Sequence, residues 1–105
     1  MSCVFCDIVC GKAPAHVVRE WSDAVAFVPL NPCSDDHTLV VPRVHVADFA
    51  TDPEVSAAAM KRAAELASPG QHVSVNIGPG AGQTVFHLHV HVWSCTGSDM
   101  PWEPK

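Results

Sequence analysis

The segment 87–92 carries a histidine at every second position, and the residues between the histidines are apolar. A period of two is typical of a half-buried β-strand, because successive side chains of a strand point to opposite faces. We therefore expect His87, His89 and His91 to share one face of a sheet while the intervening residues pack on the other. Their Cα atoms should lie about 6.6 Å apart in succession, so the three imidazoles could act on one small anionic group.

The composition limits the class of protein. A chain of 105 residues with 48% apolar and 16% charged residues predicts a single soluble domain over 1–105. The net charge of −5 argues against a protein that follows a nucleic-acid backbone. The N-terminus lacks both a basic region and a long apolar run, so we expect neither a signal peptide nor a membrane partner, and a cytoplasmic location. In that reducing compartment the five cysteines are better read as metal ligands or buried thiols than as disulfides.

Proline, glycine and capping residues divide the chain into elements. The helix should begin after Thr51, whose spacing to Glu54 fits a capping box, and should end near Ala67. Strands are predicted at 16–20, 24–28 and 38–41 before this helix, and at 72–77 and 87–93 after it. Strands that mostly follow one another directly, with one helix inserted, indicate an antiparallel sheet in an α+β fold.

Two chemistries fit the histidine row. Alternate histidines on a strand can bind one Zn²⁺. Alternatively, a neutral imidazole can attack phosphorus or an acyl carbon while its neighbours donate hydrogen bonds to the developing charge. The preceding segment 78–82 is rich in glycine, and Gln83 and Thr84 follow it. Such a segment can bring backbone N–H groups close to a phosphate, although an ordinary turn has the same composition.

Cys3 and Cys6 form a Cys-x-x-Cys pair near the N-terminus. Together with His45 and one histidine of the row they would make a two-cysteine, two-histidine set, which is typical of a closed structural zinc site. A redox pair or two buried thiols are the alternatives.

Several blocks of sequence resemble the histidine-triad (HIT) family of nucleotide hydrolases and transferases. The blocks are 37–45 and 82–92, and the similarity extends over nearly the whole chain, with an ending at 100–104 similar to the short Hint-like branch. The resemblance implies a HIT-like α+β fold: about five antiparallel strands, one main helix and a short N-terminal helical turn.

The resemblance also implies a mechanism. His89 would attack the α-phosphorus of a purine nucleotide and form a nucleotidyl-histidine, which water hydrolyses. His91 would bind the phosphoryl oxygens, and His37 would support the row from a neighbouring strand. The other implied nucleotide-binding residues are Asn76, Gln83 and Thr84, with Gln83 also among the catalytic group. As single residues, His37 and Asn76 could equally be polar residues at the start of a strand and on its wet face.

The implied substrates are purine nucleoside 5′-phosphoramidates or acyl- and aminoacyl-adenylates, with release of AMP. Hydrolysis of dinucleoside polyphosphates is an alternative within the same chemistry. Two other classes also remain open: a nucleotide-binding interaction protein with little turnover, and a metalloenzyme whose histidine row holds a catalytic metal.

The resemblance assigns His87 as the fourth metal ligand beside Cys3, Cys6 and His45, with a structural zinc that takes no part in the chemistry. It further implies a homodimer in which Trp102 lies near the partner's active site. The alternative is that the C-terminal tail packs on its own subunit.

One position departs from the family pattern. Where relatives carry an acidic residue that accepts hydrogen bonds from the ribose, this chain has Pro29. Asn31, Asp35 or Asp36 could substitute. Asp36 also precedes His37 where many relatives have glycine, and its carboxylate could either favour a protonated His37 or face water.

Overall fold

The computed structural model describes residues 3–94, which form one five-stranded antiparallel sheet with the strand order β1-β2-β3-β5-β4. The strands are β1 (His16–Glu20), β2 (Ala24–Val28), β3 (Thr38–Pro42), β4 (Gln71–Ser74) and β5 (Val90–Ser94). Two helices, α1 (Val4–Val9) and α2 (Pro53–Leu66), accompany a short 3₁₀ turn at Pro79–Ala81. The predicted order of elements and the α+β class are confirmed.

The first three strands form where the sequence predicts them. Backbone N–H of Trp21 donates to the carbonyl of Ala24 at 2.9 Å and closes the hairpin between β1 and β2. β3 pairs with β2 on one side and with β5 on the other. The histidine segment therefore enters the sheet beside its most buried strands.

The sheet has two apolar faces, each covered by one helix. Ala59 and Ala63 of α2 pack against Val40, Val90 and other residues on the first face. Phe5 of α1 packs on the second face, among the side chains of Val25, Phe27, Leu39 and Val41.

Three boundaries differ from the prediction. The N-cap of α2 is Asp52, whose carboxylate accepts from the N–H of Glu54 at 3.1 Å, whereas the hydroxyl of Thr51 donates to Asp48. β4 ends at Ser74 because the chain leaves the ladder for the glycine-rich segment. β5 begins only at Val90, so the first two histidines of the row precede the strand.

α2 is tied to the β1–β2 hairpin by an ion pair around Trp21. The Arg62 guanidinium donates to both carboxylate oxygens of Asp23, at 2.9 and 3.3 Å, and to Glu65 at 2.9 Å. The guanidinium carbon also lies 5.8 Å from the centre of the Trp21 ring. The pairing lowers the pKa of Asp23, chiefly through the hydrogen bonds from Arg62.

Replacing Arg62 with alanine should lower the free energy of unfolding, because its two hydrogen bonds to Asp23 are lost together with its contact on Trp21. Urea unfolding of the single variants Arg62→Ala and Asp23→Ala and of the double variant measures the coupling. If the two single effects add without a coupling term, the ion pair does not stabilise this contact.

No helix in the described part of the chain is long and apolar enough to cross a lipid bilayer.

Candidate functional site

The histidines of the row share the α1 face of the sheet, as the alternation predicts. The Phe5 ring lies 6.0 Å from the His87 ring and 5.1 Å from the His89 ring. The intervening residues belong to the α2 face, where Leu88 and Val90 are buried. The three histidines are not equivalent, because their other neighbours differ.

His87 joins a cluster of four potential metal ligands. Its Nδ1 lies 3.5 Å from the Sγ of Cys3, 3.5 Å from the Sγ of Cys6 and 3.2 Å from the Nδ1 of His45. Cys6 Sγ is also 3.3 Å from His45 Nδ1. These four ligand atoms all lie within 4.8 Å of one another, so the cluster could hold a metal ion.

The cluster fits a tetrahedral zinc ion. Zn–N bonds of about 2.0 Å and Zn–S bonds of about 2.3 Å give tetrahedral edges of roughly 3.3 Å between nitrogens and roughly 3.5 Å between nitrogen and sulfur. Four of the six separations, between 3.2 and 3.5 Å, match these edges. Nε2 of His87 lies 2.9 Å from the carbonyl oxygen of Pro42, which can only accept. The proton of His87 is therefore on Nε2, and the Nδ1 lone pair faces the thiols.

His89 has the opposite tautomer. Its Nδ1 lies 2.8 Å from the backbone carbonyl oxygen of His87, so Nδ1 carries the proton and donates it. Nε2 is left with its lone pair. This is the atom that a nucleophilic imidazole needs, and the hydrogen bond also fixes the orientation of the ring.

His91 and His37 form a directed chain of hydrogen bonds. The backbone N–H of Cys33 donates to His37 Nδ1 at 2.9 Å, so the proton of a neutral His37 is on Nε2. That Nε2 lies 3.0 Å from His91 Nδ1, which must then accept. The remaining proton of His91 is on Nε2, and the His91 ring lies 5.1 Å from that of His89. A hydrogen-bond donor is thus held next to the His89 ring.

Burial keeps both members of this pair neutral. Burial, followed by the nearby His89 and His37, lowers the pKa of His91 to about 4. Burial also lowers the pKa of His37, and it outweighs the opposing effect of the Asp36 carboxylate. The prospect that Asp36 would keep His37 protonated is therefore wrong.

The depressed pKa of His91 makes stability dependent on pH. Below about pH 6.5 an unfolded histidine takes up a proton, whereas folded His91 does so only near pH 4. The unfolded state therefore binds more protons in this window, and stability should fall as the pH is lowered from 6.5 to 4. Urea unfolding at pH 7.0 and pH 5.0 should show a smaller loss for His91→Asn than for the wild type. An equal loss in both proteins would contradict this origin.

The glycine-rich segment is braced by Gln83, whose side chain is only 3% exposed. Its Nε2 donates to the carbonyls of Ala47 and Val85 at 2.8 and 3.0 Å, and its Oε1 accepts from the N–H of Gly78 at 2.8 Å. These bonds satisfy the amide internally, so contact with a ligand would require one of them to open. Gly78 and Gly82 have φ of +80° and +91°. Residues that carry a side chain rarely adopt this backbone conformation.

A cleft of about 400 Å³ opens beside the His37–His91 pair, and Cys33, Ser74, Asn76 and Trp93 complete its lining. The Trp93 indole donates to the hydroxyl of Ser74 at 3.0 Å, which fixes the ring in the wall. Asn76 is exposed and donates to the carbonyl of Ala81 at 2.7 Å. The exposed Thr84 also lies beyond the glycine-rich segment.

Some residues of the site carried no signal in the sequence. Cys33 contributes its backbone N–H, and Pro42 contributes its backbone carbonyl, so the side chains of these residues do not indicate their roles. Phe5 lies between Cys3 and Cys6, and this placement is the one clue that it would meet the histidines.

Of the substitutes considered for an acidic residue at Pro29, Asn31 and Asp35 are exposed. Asp36 already accepts hydrogen bonds on both carboxylate oxygens. The expectation for Trp102 falls outside the described residues.

A scan against protein families matches residues 11–96 to the HIT domain. The chain belongs to the HIT family. Among curated relatives, this HIT protein is 30% identical over 109 residues to an adenylylsulfatase, HINT3, of Arabidopsis thaliana, with 95% of this chain and 55% of the relative covered. It therefore spans about half of that longer relative.

Solved structures of HIT proteins share the fold. A HIT family hydrolase from Legionella pneumophila superposes with a TM-score of 0.84 at 32% identity, with 99% of this chain and 100% of that chain covered. A zinc-bound histidine triad protein from Mycobacterium smegmatis gives a TM-score of 0.79 at 35% identity, with 100% and 84% covered. At the level of the family, these similarities support a hydrolase with a HIT fold.

Proposed function

We propose that this HIT protein hydrolyses nucleotides through a covalent nucleotidyl-histidine on His89. The observation that carries the proposal is the 2.8 Å hydrogen bond from His89 Nδ1 to the carbonyl of His87, which in the neutral ring leaves the lone pair on Nε2. Nε2 attacks the α-phosphorus, the bond to the leaving group breaks, and the leaving group takes a proton from solvent. Water then attacks the phosphorus, the bond between phosphorus and Nε2 breaks, and the proton that the water loses returns to solvent, which releases the nucleoside monophosphate and restores His89.

His91 supplies the electrostatic part of the proposed mechanism. Its Nε2–H is a neutral donor held in place by the chain from Cys33 through His37. A donor fixed before the reaction stabilises charge on the phosphoryl oxygens without reorganisation. Burial lowers the pKa of His91 to about 4. The ring therefore stays neutral throughout the neutral range, and it donates a hydrogen bond without acting as a proton donor.

The proposed substrates are purine nucleotides whose α-phosphorus carries an amine, acyl or similar leaving group. The name of the Arabidopsis relative, adenylylsulfatase, supports a substrate in which an adenylyl group is bonded to a good leaving group. The glycine-rich segment and Thr84 are proposed to contact the phosphate, with Gln83 bracing that segment or opening one internal bond to reach it. Asn76 is proposed to contact the phosphate and ribose.

We also propose that the cluster of Cys3, Cys6, His45 and His87 holds a structural zinc ion. The ligand separations fit tetrahedral zinc, and the solved Mycobacterium smegmatis relative is zinc-bound. Bound zinc supplies folding free energy and no reactive group. The ligands themselves join α1 to the histidine segment, and so keep Phe5 against the His89 ring.

The test is AMP release from adenosine 5′-phosphoramidate, measured beside adenosine 5′-phosphosulfate and diadenosine tetraphosphate. We expect turnover of the phosphoramidate with the highest kcat/KM of the three. Release at the rate of the enzyme-free control for all three substrates would contradict the proposal. Calorimetric titration with AMP then separates the remaining classes, because binding without turnover would indicate a nucleotide-binding interaction protein.

A further inference from the structure

Asp36 joins three segments at one end of the sheet, in the loop between β2 and β3. Its Oδ1 accepts from the hydroxyl of Ser34 at 2.7 Å and from the hydroxyl and backbone N–H of Ser94 at 2.8 and 3.1 Å. Its Oδ2 accepts from Nε2 of Gln71 at 2.9 Å. Ser94 ends β5, and Gln71 begins β4. One carboxylate therefore ties the loop to the ends of two strands.

The same loop sets the tautomer of the histidine pair. Cys33 lies three residues before Asp36, and its N–H donates to His37 Nδ1 at 2.9 Å. The backbone N–H of His37 itself donates to the carbonyl of Ser34 at 3.2 Å. The loop is thus folded back on His37. The side chains of Asp36 and Ser34 both accept from the N–H of Ser94, and these hydrogen bonds hold the loop to the end of β5. A displacement of this loop would move the Cys33 donor away from His37.

We propose that Asp36 is a positioning residue for the reaction: it fixes the loop that holds His37, and through His37 the donor tautomer of His91. Aspartate suits this place because all four contacts bring donors, and a carboxylate has acceptors only. Asparagine would keep an oxygen acceptor for Ser94. Its amide N–H₂ would face the N–H₂ of Gln71, however, so that contact would have two donors and no acceptor. The kinetic part of this inference rests on the proposed function, whereas its effect on the histidines does not.

Nitrogen NMR of protein labelled in histidine tests the inference directly. In the wild type we expect Nδ1 of His37 to show the shift of an unprotonated nitrogen and Nε2 that of a protonated one. In Asp36→Ala the two shifts should move toward each other, because the fixed tautomer is lost. Glu54→Gln removes the same charge from an exposed position on α2 and should leave both shifts unchanged.

Kinetics with adenosine 5′-phosphoramidate give the second readout. Asp36→Ala should lower kcat about tenfold with KM changed less than about twofold, because the donor is misplaced while the binding surface remains. Asp36→Asn should recover part of that loss through its contact with Ser94. Glu54→Gln should match the wild type.

Unchanged nitrogen shifts of His37 in a folded Asp36→Ala variant would overturn the inference, even if kcat falls. If Asp36→Ala does not fold, the double variant Ser34→Ala with Gln71→Ala removes two partners and keeps the carboxylate. Converging shifts in that variant support the inference, and unchanged shifts overturn it. If the wild type releases no AMP, the proposed function fails, and the nitrogen shifts still decide the role of Asp36.

Discussion

Replacing His89 with alanine is expected to lower the rate of AMP release from adenosine 5′-phosphoramidate by at least about a thousandfold. The substitution removes the proposed nucleophile, Nε2 of the ring whose Nδ1 is held by the carbonyl of His87. The stabilising donor on His91 stays, so some acceleration over water should persist. Steady-state kinetics at saturating substrate measure the loss in kcat.

The matched comparisons use histidines in other places. His91→Ala removes a donor and keeps the nucleophile, so it should cost about a hundredfold. His16 is exposed on the edge strand β1, and His16→Ala should leave the rate as in the wild type. A His89→Ala protein that turns over within tenfold of the wild type would show that His89 is not the nucleophile.

Loss of a cluster thiol is expected to have the largest effect on stability. In Cys6→Ser the zinc content should fall well below one ion per chain, since the thiolate ligand is lost. If free zinc is a thousandfold above its Kd, that removes about 4 kcal/mol from the free energy of unfolding. Elemental analysis and urea unfolding, each with and without added zinc, measure the two effects.

Cys10 provides the matched control because it is exposed just beyond α1, and its Sγ donates to the carbonyl of Asp7 instead of joining the cluster. Cys10→Ser should keep both the zinc and the stability. Undiminished zinc in both Cys3→Ser and Cys6→Ser would contradict the assignment. If a chelator stopped turnover of a protein that stays fully folded, the metal would have a catalytic role instead of a structural one.

The elements that sequence predicts best are those with a local cause. The turn at Ser22 and Asp23 identifies the hairpin, and Pro53 marks the start of α2. Alternation assigns the faces of the histidine row correctly. It does not determine where pairing begins, because a ladder depends on the neighbouring strand. Before Val90, the backbone N–H of Leu88 instead donates to the carbonyl of Val46 at 2.8 Å, outside the strand ladder.

For the site, side-chain types indicated Cys3, Cys6, His45 and one histidine of the row as potential metal ligands, and the family resemblance selected His87. The structure brings these four residues together. The sequence does not identify the backbone groups that fix the tautomers, which are the carbonyls of Pro42 and His87 and the N–H of Cys33. Any residue type has a carbonyl, and any residue but proline has an N–H. The contacts of Asp36 could not be predicted for a related reason. Two of its hydrogen-bond partners, Gln71 and Ser94, lie 35 and 58 residues away along the chain.

The stereochemical course at phosphorus tests the central claim most directly. The substrate is one diastereomer of adenosine 5′-phosphoramidothioate, in which sulfur replaces one oxygen of the phosphoramidate. Its hydrolysis in ¹⁸O-labelled water gives a chiral phosphorothioate whose configuration can be assigned by ³¹P NMR. Attack by His89 Nε2 followed by attack of water is two in-line displacements, each with inversion, so the account predicts overall retention of configuration. Overall inversion would mean that water attacks the substrate directly, and would contradict a nucleotidyl-histidine on His89.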